Sequence, residues 1–335
     1  MLLGQLLLEK YFKLVKLKYY YNFDFGNNMK TAILIPCYNE EMTIEKVILD
    51  FKRTMPHADI YVYDNNSTDN SYEIAKNAGA IVRKEHNQGK GNVVRSMFRD
   101  IEADCYIMVD GDDTYPAESG PEIEELILSG KADMVIGDRL SSTYFEENKR
   151  RFHGSGNKFV RKFINIVFRS DLSDIMTGMR GFSWEFVKSF PASSKEFETE
   201  TEMTIFALNH NFLIEEIPIE YKDRIEGSES KLNTYSDGFK VIKILVAYFR
   251  DTKPFTFFSL VTLFLIIIAM IYFIPVLVAF LQTGYVEKIP TLIIVSMVII
   301  VAVIIFLSGI ILHVINKHQN ESFERYLTSL RYFKK

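Results

Sequence analysis

Two segments limit what this chain can fold into more than any others: FTFFSLVTLFLIIIAMIYFIPVLVAFLQ (255–282) and TLIIVSMVIIVAVIIFLSGIILHVI (291–315). Each exceeds the roughly 20 residues a helix needs to cross about 30 Å of hydrocarbon, and neither contains Asp, Glu, Lys or Arg. Helices buried in a soluble core seldom run so long without a charge. The segments are therefore read as two membrane spans, and the short connection TGYVEKIP makes them a hairpin. Pro275, inside the first span, is expected to kink it, which a membrane helix tolerates.

The flanks orient the hairpin. Lys240, Lys243, Arg250 and Lys253 precede it; Lys317, Arg325, Arg331, Lys334 and Lys335 follow it; the connecting loop holds only Lys288, beside Glu287. By the positive-inside rule both ends lie in the cytoplasm, which predicts a multi-pass protein of the cell membrane with its soluble domain on the cytoplasmic side. The two cysteines, Cys37 and Cys105, fit a reducing compartment and read as inert core residues. The first 28 residues combine leucines with Lys10, Lys13, Lys16 and Lys18 and show no signal-peptide cleavage site. Two readings of them stay open: a basic amphipathic helix on the membrane surface, or an extension ahead of a true start at Met29.

The expected organisation is an extension (1–28), a soluble domain (29–235), a juxtamembrane amphipathic helix (236–254), the hairpin (255–315) and a basic tail (316–335). A net charge of −4 gives no general basic character, so nucleic acid is not an expected partner. From Met29 onward, strand-like and helix-like segments alternate. KTAILIPCY, DIYVYD, AIVRKE, CYIMVD and DMVIGD read as strands. Between them EEMTIEKVILDFKRTM reads as an amphipathic helix with Ile44, Val47, Ile48 and Phe51 on one face, STDNSYEIAKNAG and GKGNVVRSMFRDI as helices, and 120–129 as a fourth. That alternation predicts a mostly parallel, Rossmann-like sheet with helices on both faces.

In such sheets ligands sit beyond the carboxyl ends of the strands. Three strands end in polar, acid-bearing segments: 38–41, 64–67 and 110–113, the last being Asp-Gly-Asp-Asp. One such segment is usually a solvated turn. Three on one edge suggest a shared ligand, and paired carboxylates suit Mg²⁺ or Mn²⁺ held partly by substrate phosphates. Two further stretches, 156–170 and 237–255, place Phe, Ile and Val on one helical face with Lys or Arg at its borders, as helices of the headgroup layer do.

The ordered set P-C-Y-N-E-E (36–41), D-N-N-S-T-D-N-S (64–71), N-Q-G-K-G (87–91), D-G-D (110–112) and G-D-R (137–139) resembles the family-2 glycosyltransferases of GT-A fold. With T-G-M-R-G-F (177–182), E-T-E-M (200–203), R-I-E-G-S-E-S-K-L (224–232) and a hairpin, residues 30–315 look like the polyprenyl-phosphate glycosyltransferases. That resemblance implies a nucleotide pocket from Pro36, Tyr38, Glu40, Asp64, Lys90 and Asp110, Asp64 accepting the imide N–H of the base and Lys90 meeting the diphosphate. It implies Asp110 and Asp112 as metal ligands, and Arg139, Arg224 and Lys231 on the acceptor phosphate. Asp174, Arg180, Glu200 and Glu202 would lie near the sugar, Asp174 as an orienting group in the catalytic set.

Three positions depart from the family pattern: Asn65 replaces a second acid, Thr114 stands where some members have glutamine, and one extra residue precedes Ser230. The implied reaction is an inverting transfer from a nucleotide sugar, UDP-glucose or UDP-N-acetylglucosamine, to undecaprenyl phosphate. A homo-oligomer through the spans is a further expected partnership. A processive polysaccharide synthase would require a Q-x-x-R-W segment, which the single tryptophan, Trp184 in GFSWEF, does not supply. An inactive nucleotide-binding scaffold is the remaining alternative.

Overall fold

A computed structural model describes residues 29–140, 153–194, 198–222, 243 and 245–334. They divide into two compact units, with the boundary between Thr234 and Tyr235.

The first unit is built on a seven-stranded sheet: β1 (Thr31–Cys37), β2 (Asp59–Asp64), β3 (Ile81–Lys84), β4 (Cys105–Met108), β5 (Met134–Asp138), β6 (Arg180–Ser183) and β7 (Ile214–Pro218). Their spatial order is β3-β2-β1-β4-β6-β5-β7. β1 is parallel to both β2 and β4, β2 to β3, and β5 to β7, while β6 runs antiparallel between β4 and β5. The sheet is thus mostly parallel, as the alternation predicts. β6 and β7 are strands that the sequence reading does not assign. RGFS is short and half polar, and becomes a strand by pairing with β4 on one side and β5 on the other.

The helices of this unit are α1 (Ile44–Thr54), α2 (Ser71–Asn77), α3 (Lys90–Asp100), α4 (Gly120–Leu128), α5 (His153–Phe168), α6 (Trp184–Ser189) and α7 (Thr199–Asn209). α1 buries Ile44, Val47, Ile48 and Phe51, the expected stripe. Side chains alternate along β1, so Ile33, Ile35 and Cys37 enter one core with Val47, Phe51 and Ile123. A second cluster is aromatic: Phe98 meets Phe182 edge-on at 5.5 Å, and Phe182 and Phe186 stack at 4.9 Å. Cys37 and Cys105 are buried and unpaired with each other, and burial pushes the Cys37 thiol up to about 12, which suits inert core residues.

The chain leaves β1 toward β2 on one side and returns on the other as β4. This reversal of direction opens a crevice at the carboxyl ends of β1 and β4, where ligands of open α/β sheets bind. The segments after β1, β2 and β4 therefore share that edge.

The second unit is a helical hairpin, α8 (Pro254–Thr283) and α9 (Ile289–Phe333). Both are long and apolar enough to cross a membrane, with mean hydropathy of 3.0 and 3.1 in their most apolar windows. α8 continues through Pro275 without interruption. α9 extends beyond the expected span end at 315, so most of the basic tail is helical. The two pack through small residues: Ala269 and Ala302 are buried, and Thr262 donates from Oγ1 to the Ala302 carbonyl at 3.3 Å. Their outer faces expose large side chains such as Phe264, Ile271, Ile294 and Ile304. Lipid is the natural solvent for such a surface, and small-residue contacts are how helices associate there. Residues 245–252 are helical, while most of the remaining juxtamembrane stretch lies outside the described residues.

Candidate active site

Three loops at the crevice are tied together by their own polar groups. The Asn39 and Glu40 amides donate to the hydroxyls of Ser67 and Ser71, at 2.9 and 2.8 Å. The Thr68 amide donates to the Asn39 side chain, and Thr43 Oγ1 donates to the Gly111 carbonyl at 2.7 Å. The loop after β1 is thus fastened to those after β2 and β4. Pro36 lies within β1 opposite Tyr63; it, Tyr38 and Glu40 are half-buried beside these ties.

Asp64 ends β2 and is buried. The Ser67 amide faces both its oxygens at 3.4 Å, a long contact for a carboxylate. Its neighbour Asn65 acts on the backbone: its amide nitrogen donates to the carbonyls of Glu85 and Asn87, and its oxygen accepts from the Gly89 amide at 2.7 Å. The residue in place of the family's second acid therefore shapes the N-Q-G-K-G turn that opens α3.

That turn delivers Lys90. Its ammonium lies 2.6 Å from Asp110 Oδ1 and 2.5 Å from Glu200 Oε1, which α7 brings from 110 residues away. Burial alone would lower the lysine's pKa, but the two flanking carboxylates outweigh it and raise it, so Lys90 is charged. Gly178 closes the other side of Asp110: a Cβ there would sit 2.2 Å from Asp110 Oδ2, so any larger residue would displace that carboxylate. Asp112 is buried, and its Oδ1 accepts from Thr114 Oγ1 at 2.6 Å. Thr114, standing where some family members have glutamine, is thus a partner that holds Asp112. The third acid of this segment turns away: Asp113 has φ 57° and pairs with Lys46 at 2.5 Å.

A second cluster adjoins the first. Arg139 holds buried Asp174 through two parallel contacts, Nε to Oδ2 at 2.7 Å and Nη2 to Oδ1 at 3.1 Å. Its guanidinium also lies 5.3 Å from the centre of the Tyr221 ring. Tyr115 joins the clusters, its hydroxyl accepting from the Gly178 amide at 2.7 Å and from Arg139 Nη1 at 3.4 Å. Burial pushes the Tyr115 phenol up and the adjacent guanidinium opposes this; it stays a neutral hydroxyl. Glu216 on β7 fastens the assembly from below, accepting from the Ser173 and Asp174 amides at 2.9 and 3.2 Å.

Two residues expected near the sugar do other work in this structure. Arg180 is fully buried; it donates to the carbonyls of Thr177 (3.1 Å) and Ile175 (2.5 Å) and to Thr204 Oγ1 (2.9 Å). Burial lowers its pKa to about 10. It shapes the 175–179 turn from beneath. Glu202 accepts from the Ser193 and Ser194 amides at 3.1 and 2.9 Å. Arg224 and Lys231 lie outside the described residues.

The sequence reading gives no site role to Tyr115, Gly178 or Glu216, and takes Asn65 only as a departure from the family pattern. Tyr115 carries a local signal, sitting between the acids and Pro116. Glu216 carries none, because its role exists only once β7 pairs with β5.

Known proteins bear on this geometry. Residues 32–190 match the family model described as glycosyl transferase family 2. Glycosyltransferase AglJ of Haloferax volcanii is 32% identical over 229 residues, covering 68% of this chain and 75% of that one. A dolichyl-phosphate hexose transferase of the same organism is 30% identical over 216 residues, covering 64% of this chain and 92% of its own. Among solved structures, glucosyl-3-phosphoglycerate synthase from Mycobacterium tuberculosis, in complex with Mn²⁺, UDP and glucosyl-3-phosphoglycerate, superposes with a TM-score of 0.55 at 16% identity, covering 67% of this chain and 80% of that one. That last likeness is one of fold. Together with the loops at the β1–β4 crevice, these matches make the chain a member of glycosyl transferase family 2, a glycosyltransferase of GT-A fold with a pair of membrane-length helices at its C-terminal end.

Proposed function

We propose that this glycosyltransferase moves a sugar from a nucleotide donor, UDP-glucose or UDP-N-acetylglucosamine, to undecaprenyl phosphate at the cytoplasmic face of the cell membrane. The observation that carries this reading is the pairing of Lys90 with Asp110 at the crevice edge, a cation and a metal-type carboxylate where a diphosphate would lie. The hairpin supports a lipid acceptor, since it keeps the chain where such a substrate resides. A relative named as a dolichyl-phosphate hexose transferase supports the same acceptor class.

Asp110 and Asp112 are hard oxygen donors fit for Mg²⁺ or Mn²⁺. Among the described residues there is no cluster of three or more His, Cys, Asp or Glu that could hold a metal ion; an ion on the two acids would draw its other ligands from the donor's phosphates. When bound, the cation would neutralise the departing diphosphate. Asp64 would accept the imide N–H of the base, and Pro36, Tyr38 and Glu40 would border the nucleotide. Glu200 would face the sugar beside Lys90.

An oxygen of the acceptor phosphate attacks the anomeric carbon as the bond to the diphosphate oxygen breaks, and the electron pair leaves on the diphosphate. In-line displacement inverts the anomeric centre. A phosphate monoester, with its second pKa near 6, is largely dianionic at neutral pH and requires no general base. Asp174, locked to Arg139, then serves to hold that arginine toward the acceptor phosphate, with Arg224 and Lys231 as its companions.

The test uses purified full-length protein in detergent with undecaprenyl phosphate, Mn²⁺ or Mg²⁺ and a panel of nucleotide sugars, reading lipid-linked sugar by mass. A product from one donor that disappears in Asp112→Ala supports the reading. UDP binding without product from any donor sinks it. The orientation is tested separately, by protease access to the soluble unit in inside-out and right-side-out vesicles.

A further inference from the structure

The carboxylate best placed for a divalent cation is already held by a cation of the protein's own. Lys90 Nζ bridges Asp110 and Glu200 at 2.6 and 2.5 Å. The bridge is enclosed on one side and open on the other: the Lys90 and Glu200 side chains are only 12% and 6% exposed, while that of Asp110 is 28% exposed. Gly178 lies beside the second oxygen of Asp110: a Cβ on it would stand 2.2 Å from Oδ2. A divalent ion reaching for Asp110 would meet an ammonium within a few ångströms, held there by two carboxylates.

Lys90 is also the first residue of α3, carried by the turn that Asn65 holds through the Gly89 amide. A diphosphate lying along that turn gives the ammonium a second anion to pair with and frees Asp110. We propose that Lys90 competes with the divalent cation for Asp110, so that the metal site is completed only when a nucleoside diphosphate draws the lysine away. This rests on the metal reading above and adds an order to it: nucleotide and metal bind together, each raising the other's affinity by the same factor. A lysine that merely neutralises two buried acids would also weaken metal binding, but the enhancement by UDP would then be the same with and without its charge.

The experiment measures Mn²⁺ binding to the full-length protein in detergent by the electron paramagnetic resonance signal of the free ion, with and without UDP. Wild type should bind Mn²⁺ weakly alone and much more tightly with UDP. Lys90→Gln should tighten UDP-free Mn²⁺ binding by about tenfold or more and shrink the enhancement that UDP gives. Lys90→Arg, which keeps the charge, should leave UDP-free Mn²⁺ binding weak. Lys90→Met answers the same question if the glutamine variant does not fold. The proposal is overturned if UDP-free Mn²⁺ affinity does not rise when the charge is removed. If wild type binds no Mn²⁺ even with UDP, the metal reading itself fails and the proposal falls with it, a result separable from the first because in the first Mn²⁺ does bind wild type when UDP is present.

Discussion

At the scale of single residues, the site depends on contacts that leave no tolerance. Thr114 holds Asp112 through a buried 2.6 Å hydrogen bond. Thr114→Val keeps the shape and removes the donor, leaving a carboxylate with one fewer partner. Residues that orient metal ligands typically change metal affinity by 10–100-fold. We expect a loss of about tenfold in Mn²⁺ affinity in the presence of UDP, read by the same resonance signal, with thermal stability lowered by about 1–3 kcal/mol. Gly178→Ala is a steric probe of the same acid. The added methyl would overlap Asp110 Oδ2 at 2.2 Å, forcing a backbone or carboxylate shift that costs about 1–3 kcal/mol. The expected result is a folded protein whose transfer activity falls by more than about tenfold, since small displacements of reacting groups cost that much. Unchanged kcat/KM would show that Asp110 has no exact place to keep.

At the scale of elements, Arg180 joins three of them. It begins β6, holds the 175–179 turn by two carbonyls, and reaches Thr204 on α7. Lysine retains the charge but cannot span all three acceptors from one planar fork. Arg180→Lys should therefore destabilise the first unit by about 3 kcal/mol or more, through buried carbonyls left without a donor. A residue that only touched substrate would instead raise KM and leave the melting temperature alone. Thermal unfolding beside steady-state kinetics separates the two roles.

For the molecule as a whole, stability and pH are linked through His210, which follows α7 and packs against Phe206 at 4.6 Å. Burial lowers its pKa from 6.5 to about 4. The unfolded chain takes up this proton near 6.5 and the folded one only near 4, so between those values the unfolded state binds more protons. Stability should fall as pH is lowered from about 6.5 toward 4, with this contribution to the loss complete below that range. Trp184, the sole tryptophan and part of the same unit, reports that unfolding by fluorescence. His210→Leu should flatten the slope in this window; an unchanged slope would assign it to other groups.

Much of this was legible in the amino-acid order. The hairpin follows from two long uncharged runs, because hydrophobic length is a local property. The parallel sheet follows from alternating periodicities, and the shared edge of the acid-bearing loops follows from the parallel direction of β1, β2 and β4. What pattern could not supply were relations between residues far apart in the chain. Glu200 meets Lys90 across 110 positions, Glu216 meets the Asp174 turn across 42, and Tyr115 meets Gly178 across 63. Nor could it say that Asp113 turns toward Lys46 while Asp112 turns toward Thr114, a choice made by the positive φ at Asp113 and the donor at Thr114. Local sequence sets which backbone each segment prefers. Which buried charges face one another is decided when the sheet closes, because each must then find a partner or remain in water.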